Sequence, residues 1–186
     1  TTHAICEGEL LQNMNAFQVD LPEETYKEVI LKKTAILYGL ACKLGAQLSG
    51  ASEKDQLLFE GFGNNIGMAF QIADDALDLI GDQQMVGKSL GTDLKKGKMT
   101  LPLIRLRGSL QSGKLEEFLW LLKRPNELGS QQRVLNLVKS TNVLDQVHDE
   151  AARYVGLAID CLNQLPEHEL KGPLAELANF IVVREH

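Results

Sequence analysis

The stretch AFQIADDALDLIGD, residues 69–82, sets three carboxylates among apolar neighbours: Asp74, Asp75 and Asp78. On a helix, residues four apart lie on one face. Asp74 and Asp78 then stack one turn apart, with Asp75 about 100° round the axis from Asp74. Carboxylates this close repel one another, and burying them unpaired is costly. A hard divalent cation relieves both problems. Mg²⁺ prefers oxygen ligands, keeps several waters, and takes one or two carboxylates together with substrate phosphates. A bare DDxxD is as readily a solvated acidic face. The flanking Phe70, Ile72, Ala73, Ala76, Leu77, Leu79 and Ile80 argue that this helix is not a solvated one.

Basic residues follow in a glycine-rich stretch: Gly87-Lys88, Lys95, Lys96 and Lys98. Acids that hold a metal beside lysines that hold an anion make a diphosphate site. The metal bridges phosphate oxygens and the lysines neutralise the rest, while glycines let the backbone approach closely. GKSLGTD by itself is weak evidence, and it is no Walker A sequence, which needs GxxxxGK[ST]. Upstream, LKKTAILYGLACKLGA carries Lys32, Lys33 and Thr34 in an otherwise apolar helix. Taken alone, such a lysine reads as one snorkelling from a core helix. Gln71, three residues before Asp74, adds an amide dipole near the acids.

The elements that must position these groups are helices. Helical spacing predicts a first helix over about 3–17, where Ala4, Ile5, Leu10, Leu11 and Met14 recur. Asp20-Leu21-Pro22-Glu23 is a start signal that places Pro22 just inside a second helix, running to about Gly50. Ser52 is an N-cap, with Asp55 three residues on, for a third helix over 53–80 that ends at Gly81. Residues 81–100 read as a loop ordered by what it binds. Helices resume over about 101–110, 114–122, 130–140, 141–165 and 171–184, Phe118 and Trp120 reading as core. Strand signals are scarce, so the expected class is all-α.

Composition excludes several classes. Of 186 residues, 44% are hydrophobic and 24% charged, and the net charge is -6, which argues against a nucleic-acid binder. No apolar run approaches the roughly 20 residues of a membrane span, and no signal peptide is visible. Cys6, Cys42 and Cys161 match no zinc spacing and read as free thiols of a cytoplasmic protein. The four histidines are scattered. DQVHDE, residues 145–150, reads as a solvated helix face.

The motifs KKTAILYGLACKLGA, GMAFQIADDALDLIGD, GKSLGTDLKKGKMTLPLI and LAELANFIVVRE, in this order, resemble the C-terminal half of trans-polyprenyl diphosphate synthases. The resemblance implies an all-helical isoprenoid synthase bundle, incomplete here, around a central cavity. It implies that Asp74 ligates Mg²⁺ directly, with Asp75 and Asp78 acting partly through water. It implies that Lys33, Lys88 and Lys98 bind the allylic diphosphate, and that Thr34 and Gln71 stabilise a carbocation. It places the first helix near a dimer contact and the cavity, with Glu7 as a candidate cavity residue. The implied reaction joins an allylic diphosphate head-to-tail to isopentenyl diphosphate, in a homodimer when full length.

Family members also carry a first DDxxD with arginines for isopentenyl diphosphate, and this sequence holds a single DDxxD. The chain also begins at Thr1, without Met, inside a helical pattern. It is therefore expected to be the C-terminal portion of a longer synthase, inactive alone. A non-catalytic subunit of a heteromeric prenyl synthase is the alternative, and a terpene cyclase the nearer enzyme rival. Retention of the lysines, Gln71 and the aspartates argues against the first, and a DDxxD followed by GKxxGTD, in place of a cyclase's Asn/Asp-Ser/Thr-Glu motif, against the second.

Overall fold

The computed structural model describes residues 1–80 and 91–183, and every regular element among them is helical. The elements are α1 (Thr2–Met14), α2 (Glu23–Ile30), a π-helical segment (Leu31–Ala35), α3 (Ile36–Leu48), α4 (Glu53–Ile80), α5 (Thr92–Lys95), α6 (Leu101–Ser109), α7 (Ser112–Leu122), α8 (Ser130–Lys139), α9 (Val143–Asn163) and α10 (Lys171–Val183). The all-α expectation holds. No helix among them is long and apolar enough to cross a membrane.

Helix α4 is the axis of the bundle, with α3 along one side and α9 along another. Its start follows the capping rule: the Asp55 N–H donates to the Ser52 hydroxyl (3.2 Å), which donates to the Asp55 carboxylate (2.7 Å). Phe62, Ile66, Ala69 and Ala73 pack with Val155, Ala158 and Leu162 of α9 and Ile181 of α10. Further along, Met68, Ile72 and Ala76 join Ile30, Leu101, Phe118, Val134 and Val147 in a second cluster. The acidic end of α4 therefore stands on packed apolar side chains, which fix the helix.

Local departures have physical causes. Pro22 sits one residue outside α2 rather than within it, with φ -65°. The single helix expected from Pro22 to Gly50 is interrupted by the π segment, which carries Lys32, Lys33 and Thr34. Two close approaches grip that segment. A Cβ on Gly8 of α1 would lie 2.8 Å from the Lys33 nitrogen, and one on Gly67 of α4 would lie 2.5 Å from the Ala35 Cα. Both contacts are closer than any side chain allows, so glycines let helices press the backbone from two sides. Within the expected loop, α5 forms a turn of helix.

Two surface expectations are corrected. Trp120 is exposed rather than core, with the guanidiniums of Arg124 and Arg133 4.6 and 5.6 Å from its ring centre. Glu150 is not solvated. It pairs with Lys27 (3.2 Å), Arg153 (2.9 Å) and Arg105 (3.5 Å), and Glu23 pairs with Lys27 and Arg105 in turn, tying α2, α6 and α9 together.

Candidate active site

The polar end of α4, the π segment, the end of α1 and the 92–100 segment enclose a cavity of about 260 Å³. Lys33, Thr34, Gln71, Asp74, Asp75, Asp78 and Lys98 all line it. Seven of the eight residues expected to bind metal or diphosphate or to stabilise the carbocation thus meet in one place; the eighth, Lys88, lies outside the described residues.

The three aspartates do different things. Asp75 is buried, and both its oxygens are engaged: the Tyr26 hydroxyl donates to Oδ2 and the Gln71 amide to Oδ1, each at 2.8 Å. Gln71 therefore serves the acid four residues on, rather than Asp74 as the three-residue spacing suggested. Asp78 accepts from the Thr92 hydroxyl (2.8 Å) and the N–H groups of Thr92 (3.3 Å) and Asp93 (3.0 Å). It anchors the start of α5, and the Gly91 N–H reinforces this at the Asp78 carbonyl (2.7 Å). Asp74 has no hydrogen bond or ion pair among the described residues, although it lines the cavity. Among the described residues, Asp74 is thus the carboxylate of the three that no protein donor engages.

Charge follows the same division. Burial pushes Asp75 up to about 7, with Asp93 and Asp74 adding to the rise and the Tyr26 and Gln71 hydrogen bonds opposing it. Burial also raises Tyr26 well above its ordinary value, as does the charge of Asp75. Burial works against the Lys98 ammonium, but the hydrogen bond and charge of Asp93 outweigh it and hold its pKa above the ordinary lysine value. The hydrogen bond from Lys33 holds the Glu9 carboxyl below the usual range.

Both described lysines carry protein acceptors. Lys33 meets Glu9 (2.5 Å) and Gln12 (2.7 Å) of α1; Lys98 meets Asp93 (2.5 Å). Thr34 donates its hydroxyl to Gln71 Oε1 (2.8 Å). Gln12 of α1 and Asn15 just beyond its end line the cavity, whereas Glu7 pairs with His3 and Lys32. Sequence reading missed Gln12, Tyr26 and Asp93. Asp93 stood in the GTD triplet, beside the lysines already singled out. Tyr26 looked like any core position of an amphipathic helix.

Among the described residues no cluster of three or more His, Cys, Asp or Glu is gathered as a metal cage.

The model of the polyprenyl synthetase family matches residues 1–138. The chain belongs to that family. It is 32% identical over 182 residues to heptaprenyl diphosphate synthase component 2 of Geobacillus stearothermophilus, covering 98% of this chain and 56% of that one. It is 34% identical over 182 residues to the short chain isoprenyl diphosphate synthase of Methanothermobacter thermautotrophicus, with the same coverage. A crystal structure of a polyprenyl synthase from Caulobacter crescentus, complexed with calcium and isoprenyl diphosphate, superposes with a TM-score of 0.93 at 34% identity, covering 99% of this chain and 56% of that one. The bundle expected from the sequence is thus the fold of the polyprenyl synthases, and the chain spans a little over half the length of these relatives.

Proposed function

We propose that these residues form the allylic diphosphate half of a Mg²⁺-dependent prenyltransferase that elongates an allylic diphosphate with isopentenyl diphosphate. The observation that carries this reading is one cavity lined by Asp74, which has no partner among the described residues, Lys33 and Lys98, with the paired oxygens of Thr34 and Gln71 in its wall. The Caulobacter relative, complexed with calcium and isoprenyl diphosphate, supports the same ligand chemistry.

Asp74 is the residue to hold Mg²⁺, with Asp78 reached only if it releases α5. The bound ion would neutralise the departing diphosphate. Lys33 and Lys98 would share that charge after giving up Glu9 and Asp93. The allylic C–O bond breaks with its electron pair going to the departing diphosphate, the double bond of isopentenyl diphosphate supplies the electrons of the new C–C bond, and the proton lost from the product passes to that diphosphate. The oxygens of Thr34 and Gln71 would stabilise positive charge on the allylic carbon. Apolar lining from Leu21, Val29, Ile30 and Leu77 keeps water from that carbon.

The single DDxxD supports placing the isopentenyl diphosphate subsite outside these residues, so the segment alone binds diphosphate without turnover. Exposed Leu10 and Met14 on α1 and Leu37, Leu44 and Leu48 on α3 support assembly, which we propose is a homodimer in the cytoplasm. The test supplies the complete polypeptide containing this sequence with radiolabelled isopentenyl diphosphate and an allylic primer. The expected result is chain-extended polyprenyl diphosphate with Mg²⁺ and none with a chelator. Mg²⁺-independent turnover, or no extended product, overturns the reading.

A further inference from the structure

Tyr26, Asp75, Gln71 and Thr34 form one continuous hydrogen-bond chain at the cavity wall. Tyr26 donates to Asp75, Gln71 donates to Asp75, and Thr34 donates to Gln71, each link at 2.8 Å. The chain joins α2, the π segment and α4. Its buried end is Tyr26, 4% exposed, and Asp75, 5% exposed.

Direction in such a chain is set by the member with least freedom. Both Asp75 oxygens accept here, one from the Tyr26 hydroxyl and the other from the Gln71 amide. With Tyr26 on one oxygen, Asp75 draws the nitrogen end of the Gln71 amide onto the other. The Gln71 oxygen must then face Thr34, and the Thr34 hydroxyl proton is committed to it. What remains at the cavity wall is two adjacent oxygens. Were the amide turned over, its N–H groups would face Thr34 and the wall would offer donors, the wrong polarity for a developing carbocation.

We propose that Tyr26 and Asp75 are positioning residues that hold Gln71 and Thr34 with their oxygens toward the reacting carbon, and that Asp75 is not a ligand of the metal. The proposal rests on the prenyl-transfer reading for its consequence but not for its geometry. It assigns a role to Tyr26, which lies eight positions before Thr34, and separates Asp75 from Asp74 although the two are adjacent.

The experiment uses the complete polypeptide and four variants: Tyr26→Phe, Asp75→Asn, Gln71→Leu and the double variant Tyr26→Phe/Gln71→Leu. Mg²⁺-dependent affinity for inorganic pyrophosphate and single-turnover prenyl transfer are measured on each, with thermal melting as the folding control. Tyr26→Phe and Asp75→Asn are expected to keep pyrophosphate affinity within about threefold of wild type while single-turnover rates fall at least thirtyfold. The double variant is expected to be no slower than Gln71→Leu alone, because Tyr26 acts through Gln71.

A second measurement needs no turnover. The side-chain amide protons of Gln71 are followed by ¹⁵N NMR in wild type and Asp75→Asn. Slow exchange of the hydrogen-bonded proton in wild type, and a shifted, faster-exchanging pair in the variant, are expected. Loss of Mg²⁺-dependent affinity in Asp75→Asn, additive losses in the double variant, or an unchanged Gln71 amide would each overturn the proposal. If wild type transfers no prenyl group while the Gln71 amide behaves as described, the functional reading fails and the geometric claim stands.

Discussion

Tyr26 and Asp75 lie 49 positions apart in the chain and 2.8 Å apart in the fold, hydroxyl against carboxylate. This contact decides which acid of the DDxxD motif stays available. With Asp75 turned to Tyr26 and Asp78 spent on α5, Asp74 faces the cavity without a protein partner among the described residues.

Replacing Tyr26 by Phe leaves a buried carboxylate oxygen without its donor. The expected cost is about 1–3 kcal/mol of folding stability, read as a lower urea midpoint with unchanged slope. Full wild-type stability in this variant would mean that water replaces the hydroxyl.

The pressed π segment makes a paired prediction. Gly67→Ala brings a Cβ to 2.5 Å from the Ala35 backbone, so α4 and the segment must separate. A destabilisation of about 1–3 kcal/mol is expected, together with weaker pyrophosphate binding as Lys33 moves. Gly45→Ala in α3 meets nothing within 4 Å and should gain about 0.5–1 kcal/mol from helix propensity. Thermal melting of both variants checks the contrast.

Glu9 competes with a bound anion for Lys33. Because both side chains are partly exposed, the pair is weak, on the order of 0.2–1 kcal/mol. Glu9→Gln should therefore tighten pyrophosphate binding by roughly 1.4-fold to fivefold, and added salt should shrink the difference. Calorimetric titration at two ionic strengths reads both effects.

The Glu150 network predicts an acid-sensitive fold. The hydrogen bond from Arg153 brings Glu150 down to about 2 against an ordinary 4.5, with Lys27 helping and burial opposing. A depressed carboxyl stabilises the fold above its unfolded value, and that contribution is lost as pH falls from 4.5 toward 2. Glu150→Gln should cost on the order of 2 kcal/mol at pH 7. The gap between wild type and variant in urea denaturation should close below pH 4.

Much of the site was legible because its residues sit in local patterns. The helix that Ser52 caps starts at Glu53 as its sequence predicts, and the acids, Gln71 and Thr34 all line one cavity. What was not legible depends on contacts between distant segments. The π segment needs α1 and α4 pressing from two sides, which a run of helix-forming residues does not announce. The equal treatment of Asp75 and Asp78 as metal acids failed to anticipate Tyr26 and the α5 amides, which lie 49 and up to 15 positions away. Trp120 reads as core by type, yet two arginines give it a polar cover at the surface.

The most direct measurement is calorimetric titration of inorganic pyrophosphate into wild type and Asp74→Asn, each with Mg²⁺ and with chelator. The account predicts tight binding by wild type only with Mg²⁺, and a loss of at least thirtyfold in Asp74→Asn. Equal affinity with and without Mg²⁺, or an Asp74→Asn variant that binds like wild type, would contradict it.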